Sequence, residues 1–260
     1  MNRPKILVTN DDGIDSPGLH ALAAGLAAEG LDVTVAAPAS EASGSSASIT
    51  AVENDGRIQV EERQIEGLDG IPAYAVYGAP AFIAMISSHG AFGDAPDVVF
   101  SGINRGANVG RAILHSGTVG AALTSGINGG RGMAVSLDTG LNPRQLHWDR
   151  GARLAAGLLP FLMEQPPGTV LNLNVPNLDV EELPQYKAAR LAEFGIVQTT
   201  LAERGHQHIR LSVEDTVGEP HEDSDFKLLA AGFAPVTAIQ AVTEATIAGL
   251  RESLPQLRPS

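Results

Sequence analysis

Apolar and polar positions along the chain switch repeatedly between a period of two or an unbroken short run and a period near 3.6. Lys5 to Thr9 is an apolar run that ends in Asn10-Asp11-Asp12-Gly13, a turn signal. Ser16-Pro17 then predicts an N-cap followed by proline at the first helical position. Leu19, Leu22 and Leu26 follow at helical spacing and form one apolar face, closed by Gly30. Asp32 to Ala37 predicts the next strand, stopped by Pro38, and a loop of small polar residues covers Ala39 to Ser48. Arg57–Arg63 and Ala73–Tyr77 read as strands and Pro80–Ser88 as a helix. Asp97–Phe100 reads as a short buried strand, and a long Gly-rich loop runs from Gly102 to Gly117 before a helix of small residues. Gly132–Leu137 is strand-like, Asp149–Met163 helical, and Gly168–Asn174 a strand stopped by Pro176.

This alternation predicts an α/β fold with a mostly parallel sheet and helices on both faces. Beyond Tyr186 the pattern changes: β-type stretches at Arg210–Val213 and Pro235–Ala241 mix with short helix signals. Residues 1–185 are therefore expected to form the core. Residues 186–260 are expected to be a C-terminal β/α extension that packs on the core or on a neighbouring subunit. The charged stretches Glu61–Glu66 and Glu219–Asp225 read as solvated loops.

Composition narrows the classes. The 260 residues are 43% apolar, enough for a sizeable core. No apolar run reaches the roughly 18 residues of a membrane span, and Ile6-Leu7-Val8 is too short for a secretory signal. Cysteine is absent, which leaves no disulfide framework and no thiolate metal site. A soluble cytoplasmic protein is expected. The formal net charge of −13 works against nucleic-acid binding. It also makes a phosphate substrate hard to hold unless a divalent cation reverses the local field.

Ligands in a parallel α/β sheet sit beyond the carboxyl ends of the strands. The first strand delivers Asp11 and Asp12 there. Adjacent carboxylates raise each other's pKa, and hard divalent ions take oxygen ligands from such groups; an Asx-type turn with solvated carboxylates is the alternative. A phosphoaspartate scheme usually carries a second Asp two residues after the first, where this chain has Gly13. The loop Pro38–Ser48 holds five serines, any of which offers a hydroxyl to a cation or a phosphate, or serves only as flexible connection. Ser101–Gly110 offers Asn104 and Asn108 among glycines, and His115–Leu123 looks like a helix entry whose free N–H groups suit phosphate. Tight packing explains the same stretch equally well. Arg105, Arg111 and His115 are either phosphate contacts or surface groups. No P-loop, dinucleotide fingerprint or H-x-x-x-H pair occurs. Trp148, beside a helix start, reads as packing.

Together these segments resemble the survival protein E (SurE) family of nucleotidases. The resemblance rests on V-T-N-D-D-G-I at Val8–Ile14, S-P-G at Ser16–Gly18, A-P at Ala37-Pro38, S-G at Ser43-Gly44 and S-I-T at Ser48–Thr50. It continues through S-G-I-N-x-G-x-N-x-G at Ser101–Gly110, S-G-T-V at Ser116–Val119, A-V-S-L at Ala134–Leu137 and N-x-N-x-P at Asn172–Pro176, with weaker agreement at Ser224-Asp225 and Gly232–Thr237. It implies a Rossmann-like three-layer core and one divalent cation, Mg or Mn. The activity it implies is hydrolysis of nucleoside 5′- and sometimes 3′-monophosphates. The implied metal ligands are Asp11, Asp12, Ser43 and Asn104, and the implied phosphate contacts are Asn108, Ser116, Gly117 and Thr118. It also implies a homodimer or homotetramer with exchanged C-terminal segments. One departure stands out: where the family often has G-T-P, this chain has Gly78-Ala79-Pro80.

The expected mechanism puts the cation on a phosphoryl oxygen and a water, with Asp11 as the catalytic base. The competing class is a non-catalytic nucleotide-binding or sensing module on the same fold. A nicotinamide-linked oxidoreductase would need a glycine fingerprint and a ribose-binding acid that the chain does not carry.

Overall fold

A computed structural model describes residues 3–140, 143–193, 198–204, 209–214 and 220–244. The elements in chain order begin with β1 (Lys5–Thr9), α1 (Pro17–Ala28), β2 (Asp32–Pro38), β3 (Glu53–Asn54), β4 (Arg57–Ile58), β5 (Val60–Glu62), β6 (Ala73–Val76) and α2 (Pro80–Ser88). Then come β7 (Val98–Arg105), a 3-10 helix at Gly110–His115, α3 (Gly117–Ile127), β8 (Arg131–Asp138), α4 (Trp148–Glu164) and β9 (Val170–Pro176). The last are β10 (Tyr186–Ala188), β11 (Gln198–Arg204), β12 (Ile209–Glu214), α5 (Asp225–Ala230) and β13 (Ala234–Ile239).

One nine-stranded sheet runs in the order β10-β13-β9-β8-β7-β1-β2-β6-β5. Every pairing from β9 across to β6 is parallel, whereas β13 on β9 and β5 on β6 are antiparallel. This is the mostly parallel, Rossmann-like arrangement expected from the sequence. β10 and β13 belong to the stretch from residue 186 onward and hydrogen-bond into the same sheet, while β11 and β12 make a separate antiparallel ribbon.

The strand period sorts side chains between two cores. Ile6, Val8, Val33, Val35, Val98, Phe100, Met133 and Val135 face one way. There they meet Leu19, Leu22 and Leu26 of α1 and Leu154, Leu159 and Leu162 of α4. Leu7, Ala36 and Val99 face the other way, against Ile83 and Ala84 of α2 and Ala121 of α3. Each fully buried leucine contributes roughly 1.5–3 kcal/mol. Helix α1 starts as its sequence predicts: Pro17 occupies the first turn and the Ser16 hydroxyl accepts from the Leu19 N–H at 3.5 Å.

Two expectations need correction. The stretch Arg57–Arg63 is two short strands, β4 and β5, rather than one. The strand expected to end at Phe100 continues to Arg105, so the Gly-rich loop begins four residues later than its glycines suggest. The neighbouring β8 runs on alongside and pairs Asn104 with Ser136 and Arg105 with Leu137 after an irregularity at residues 101–104. Ladder bonds to an existing partner outweigh the low strand preference of glycine.

The chain crosses from β1 to β2 and β6 on one side and returns through α2 to β7 on the other. The carboxyl ends of β1 and β7 thus flank the point where the winding reverses, where parallel sheets open a crevice. Gly18 lets α1 lie close over this point: a Cβ there would stand 2.1 Å from the Ile103 carbonyl oxygen and 3.2 Å from the Trp148 ring. Trp148 packs against the core, as its position suggested. Gly18→Ala is expected to cost about 1–3 kcal/mol through overpacking. The readout is a lowered urea midpoint at unchanged m-value; a midpoint equal to that of the parent chain would refute the close approach.

Candidate active site

An open cleft of about 510 Å³ lies at this crevice, lined by Asp11, Asp12, Glu41, Ser43, Gly44, Asn104, Arg105, Asn108, Ala112, His115 and Ser116. The turn after β1 is built by Asn10, whose buried side chain accepts from the Gly13 N–H at 3.1 Å and donates to the Gly13 carbonyl at 3.0 Å. That closed ring sends Asp11 and Asp12 forward into the cleft.

Asp11 is 6% exposed. Burial raises its carboxyl pKa; the Thr118 hydroxyl, donating to Oδ1 at 2.5 Å, and the backbone N–H groups of Gly117 and Thr118 oppose that rise. Asp12 is also pushed up, first by burial and then by the charge of Asp11, with the Arg105 N–H donating to its Oδ2 at 3.3 Å. Gly117 is what allows α3 to begin this close: a Cβ there would meet the Ser45 Oγ at 2.6 Å and the Asp11 Cβ at 2.8 Å. Helix α3 starts where the sequence predicts, with the Ser116 hydroxyl accepting from the Val119 N–H at 3.2 Å.

The side chains of Asn104 and Asn108 are held from behind. The Asn104 amide donates to the Gly106 carbonyl at 2.8 Å. The Asn108 side-chain amide donates to the Ser136 hydroxyl at 2.9 Å, and its backbone N–H donates to Asn174 Oδ1 at 2.8 Å. The Asn108 carbonyl accepts from the side chains of both Asn172 and Asn174. The alternate residues of β9 therefore cradle Asn108.

Asp11, Asp12, Ser43, Asn104, Asn108 and Ser116 all line the one cleft. Gly117 and Thr118 lie behind it, fully buried, with the Thr118 hydroxyl committed to Asp11. Arg105 and His115 reach the cleft, whereas Arg111 is exposed outside its lining. Sequence reasoning missed Glu41, which accepts from the Ser43 hydroxyl at 2.6 Å. It also left Asn172 and Asn174 without a role, although two polar residues two apart in an apolar strand must share a face. Among the described residues no three His, Cys, Asp or Glu side chains are placed to hold one metal ion between them, so hydroxyl and amide oxygens would have to complete a set. The donor set on offer is two carboxylates with a hydroxyl and an amide oxygen, a hard oxygen set that suits Mg or Mn and does not suit a soft ion.

The protein-family model described as "Survival protein SurE" matches residues 6–197. The chain belongs to the SurE family. A "5'-nucleotidase SurE" of Rubrobacter xylanophilus is 37% identical over 260 residues, covering 95% of each chain. A "5'/3'-nucleotidase SurE" of Edwardsiella ictaluri is 33% identical over 243 residues, covering 91% of this chain and 89% of the relative. The crystal structure of the SurE protein from Aquifex aeolicus superposes with a TM-score of 0.77 at 26% identity, covering 96% of this chain and 98% of that one. The SurE family match thus runs from the second residue of β1 past β10. Among the described residues no helix is long and apolar enough to cross a membrane.

One carboxylate was misread from sequence. Asp225, placed in a solvated charged stretch, is fully buried at the start of α5. Its Oδ2 accepts from the Gly110 N–H at 2.8 Å and its Oδ1 from the Ala192 and Phe226 N–H groups, both at 2.9 Å. It pins the backbone two residues beyond Asn108. Asp225→Ala would leave buried donors unpaired, at an expected cost of about 1–3 kcal/mol. Burial pushes the Asp225 carboxyl above its ordinary 3.8, so the folded chain holds that proton more tightly than the unfolded one. The contribution is fully present below the ordinary value and declines as pH rises through the elevated one. Urea titrations should therefore show the gap between parent and variant widening on acidification; a gap that narrows would contradict the assignment.

Proposed function

We propose that the chain is a divalent-metal-dependent phosphomonoesterase that hydrolyses nucleoside 5′-monophosphates, and 3′-monophosphates as well, to nucleoside and phosphate. The observation that carries this reading is the convergence of Asp11, Asp12, Ser43 and Asn104 on one cleft at the switch point of the sheet. The names carried by the relatives support the substrate class.

In this reading Asp11, Asp12, Ser43 and Asn104 hold the cation. When bound, such a cation polarises a phosphoryl oxygen and lowers the pKa of a water. Thr118 fixes the Asp11 carboxylate through Oδ1, and Asp11 is the group assigned to take the proton of the attacking water. Asn108, clamped by Ser136 and Asn174, and Ser116, at the start of α3, orient the phosphate oxygens without having to reorganise. Gly117 and Thr118 serve the site from behind, through Asp11 and through the N-terminus of α3. Arg105 supplies a positive charge at the rim of an otherwise acidic molecule, and His115 adds a polar ring there.

Phosphate release from AMP is expected with Mg²⁺ or Mn²⁺ and should stop with EDTA. Asp11→Asn and Asp12→Asn are each expected to lower kcat about 100-fold or more, with unchanged circular dichroism and thermal midpoint. Full turnover in either variant, or turnover indifferent to chelator, would overturn the assignment. AMP binding without any turnover would favour a non-catalytic nucleotide-binding module. The same reading makes residues 186–260 the segment for contacts between copies, supported by Tyr186 and Val242, large apolar side chains of that segment that stand exposed. Light scattering should then return a homodimer or homotetramer; a monomer at working concentration would exclude it.

A further inference from the structure

Among the described residues five buried side-chain oxygens find no hydrogen-bond partner, and four of them stand in one row across the sheet. Register places Thr9 of β1 beside Ser101 of β7, Ser101 beside Ala134 of β8, Ala134 beside Asn172 of β9, and Asn172 beside Thr237 of β13. The unpaired atoms of the row are Thr9 Oγ1, Ser101 Oγ, Asn172 Oδ1 and Thr237 Oγ1. Ala134 divides them, because its side chain belongs to an apolar cluster with Ile113, Val119 and Ala122. Within the row, Asn172 and Thr237 are therefore left to each other.

Asn172 is fully buried and Thr237 is 4% exposed. Leaving a buried polar atom unpaired costs the whole desolvation penalty of the group, which is why such atoms are rare in folded proteins. Chemistry sets the orientation of Asn172. The Asn108 carbonyl is an acceptor, so only the amide nitrogen of Asn172 can face it, as it does at 2.9 Å. That choice leaves Oδ1 in need of a donor. The side chain of Ala134, on one side, has none to give. Thr237, on the other, carries a hydroxyl, and residues directly opposite in an antiparallel pair have Cβ atoms about 4.5–5.5 Å apart. Rotation about the Thr237 Cα–Cβ bond moves the hydroxyl among staggered positions. A hydroxyl and an amide oxygen at this spacing meet directly or across one water.

We propose that Thr237 is a positioning residue for the phosphate contact: its hydroxyl bonds Asn172 Oδ1, directly or through one water, and so locks the amide that holds the Asn108 carbonyl. The proposal rests on the phosphomonoesterase reading for the role of Asn108. It makes the stretch from residue 186 onward reach the site twice. Asp225 holds the Gly110 N–H two residues after Asn108, and Thr237 steadies Asn108 through Asn172. Neither residue lines the cleft.

The test replaces Thr237 by Val, which keeps the shape and loses the hydroxyl, and by Ser, which keeps the hydroxyl. With AMP and Mg²⁺, Thr237→Val is expected to lower kcat/KM about tenfold, the equivalent of about 1.4 kcal/mol, and to weaken inhibition by inorganic phosphate. Thr237→Ser should keep most of the parent value. A parent-like value in Thr237→Val overturns the proposal. So does a loss in Thr237→Ser as large as that in Thr237→Val, which would trace the effect to the methyl group and its packing. Urea unfolding reads the same contact without turnover. Replacing an idle buried hydroxyl by a methyl leaves stability unchanged or raises it, whereas removing one bonded to Asn172 strands Oδ1. The urea midpoint should therefore fall in Thr237→Val and not in Thr237→Ser, and the same change to Val should not lower it beside Asn172→Leu. An equal fall in both backgrounds, or none in either, overturns the contact; should Asn172→Leu not fold, Val against Ser at position 237 decides alone. If the parent does not hydrolyse AMP, the catalytic reading fails, and the urea midpoints still decide whether Thr237 holds Asn172.

Discussion

Consecutive carboxylates cannot move far apart, and the site is organised around that constraint. Asp11 and Asp12 leave the end of β1 together and are both partly withdrawn from water. Their neighbours are fitted to that fact. The Thr118 hydroxyl and the start of α3 meet one charge, the Arg105 N–H meets the other, and a glycine at 117 lets the helix come near enough to matter. A helix N-terminus carries about half a positive charge. In the sequence α3 looks like a phosphate cradle; in the structure its first N–H groups act on Asp11. What is left over for a ligand is the open side of the cleft.

The sheet supplies the stage for this arrangement. Because the winding reverses between β1 and β7, the two strand ends part and the residues that follow them face a common space. Asp12 and Asn104 are far apart in sequence and near in the fold for that reason. The second line of support comes from β8 and β9, whose polar residues Ser136, Asn172 and Asn174 reach up to Asn108. The bonds that hold Asn108 therefore come from the sheet.

Much of this was legible in the sequence because it is local. The run Lys5–Thr9, the Ser16-Pro17 cap and the leucines of α1 each declare themselves within a few residues. The Asp11-Asp12 pair could be placed on the ligand-binding edge from the strand before it. The extension of β7 to Arg105 was not legible, since the partner strand beside it decides that and no nearby residue does. Asp225 was hidden for the same reason: its partner Gly110 is 115 residues away. A carboxylate in a charged stretch looks solvated until its distant donors are known. Glu41 was lost among five serines, none of which composition could single out.

The grip of Asp225 on Gly110 has a bearing on how the molecule comes to exist. A ribosome emits chain at roughly 5–20 residues per second, and amino-terminal parts can settle before the rest has emerged. Here the strands and helices that bear Asp11, Asn104 and Asn108 are all made well before residue 225. The peptide that follows Asn108 has no carboxylate to hold it during that interval. A nascent chain can thus wind its core early while its working surface waits for a carboxylate translated 115 residues after its partner.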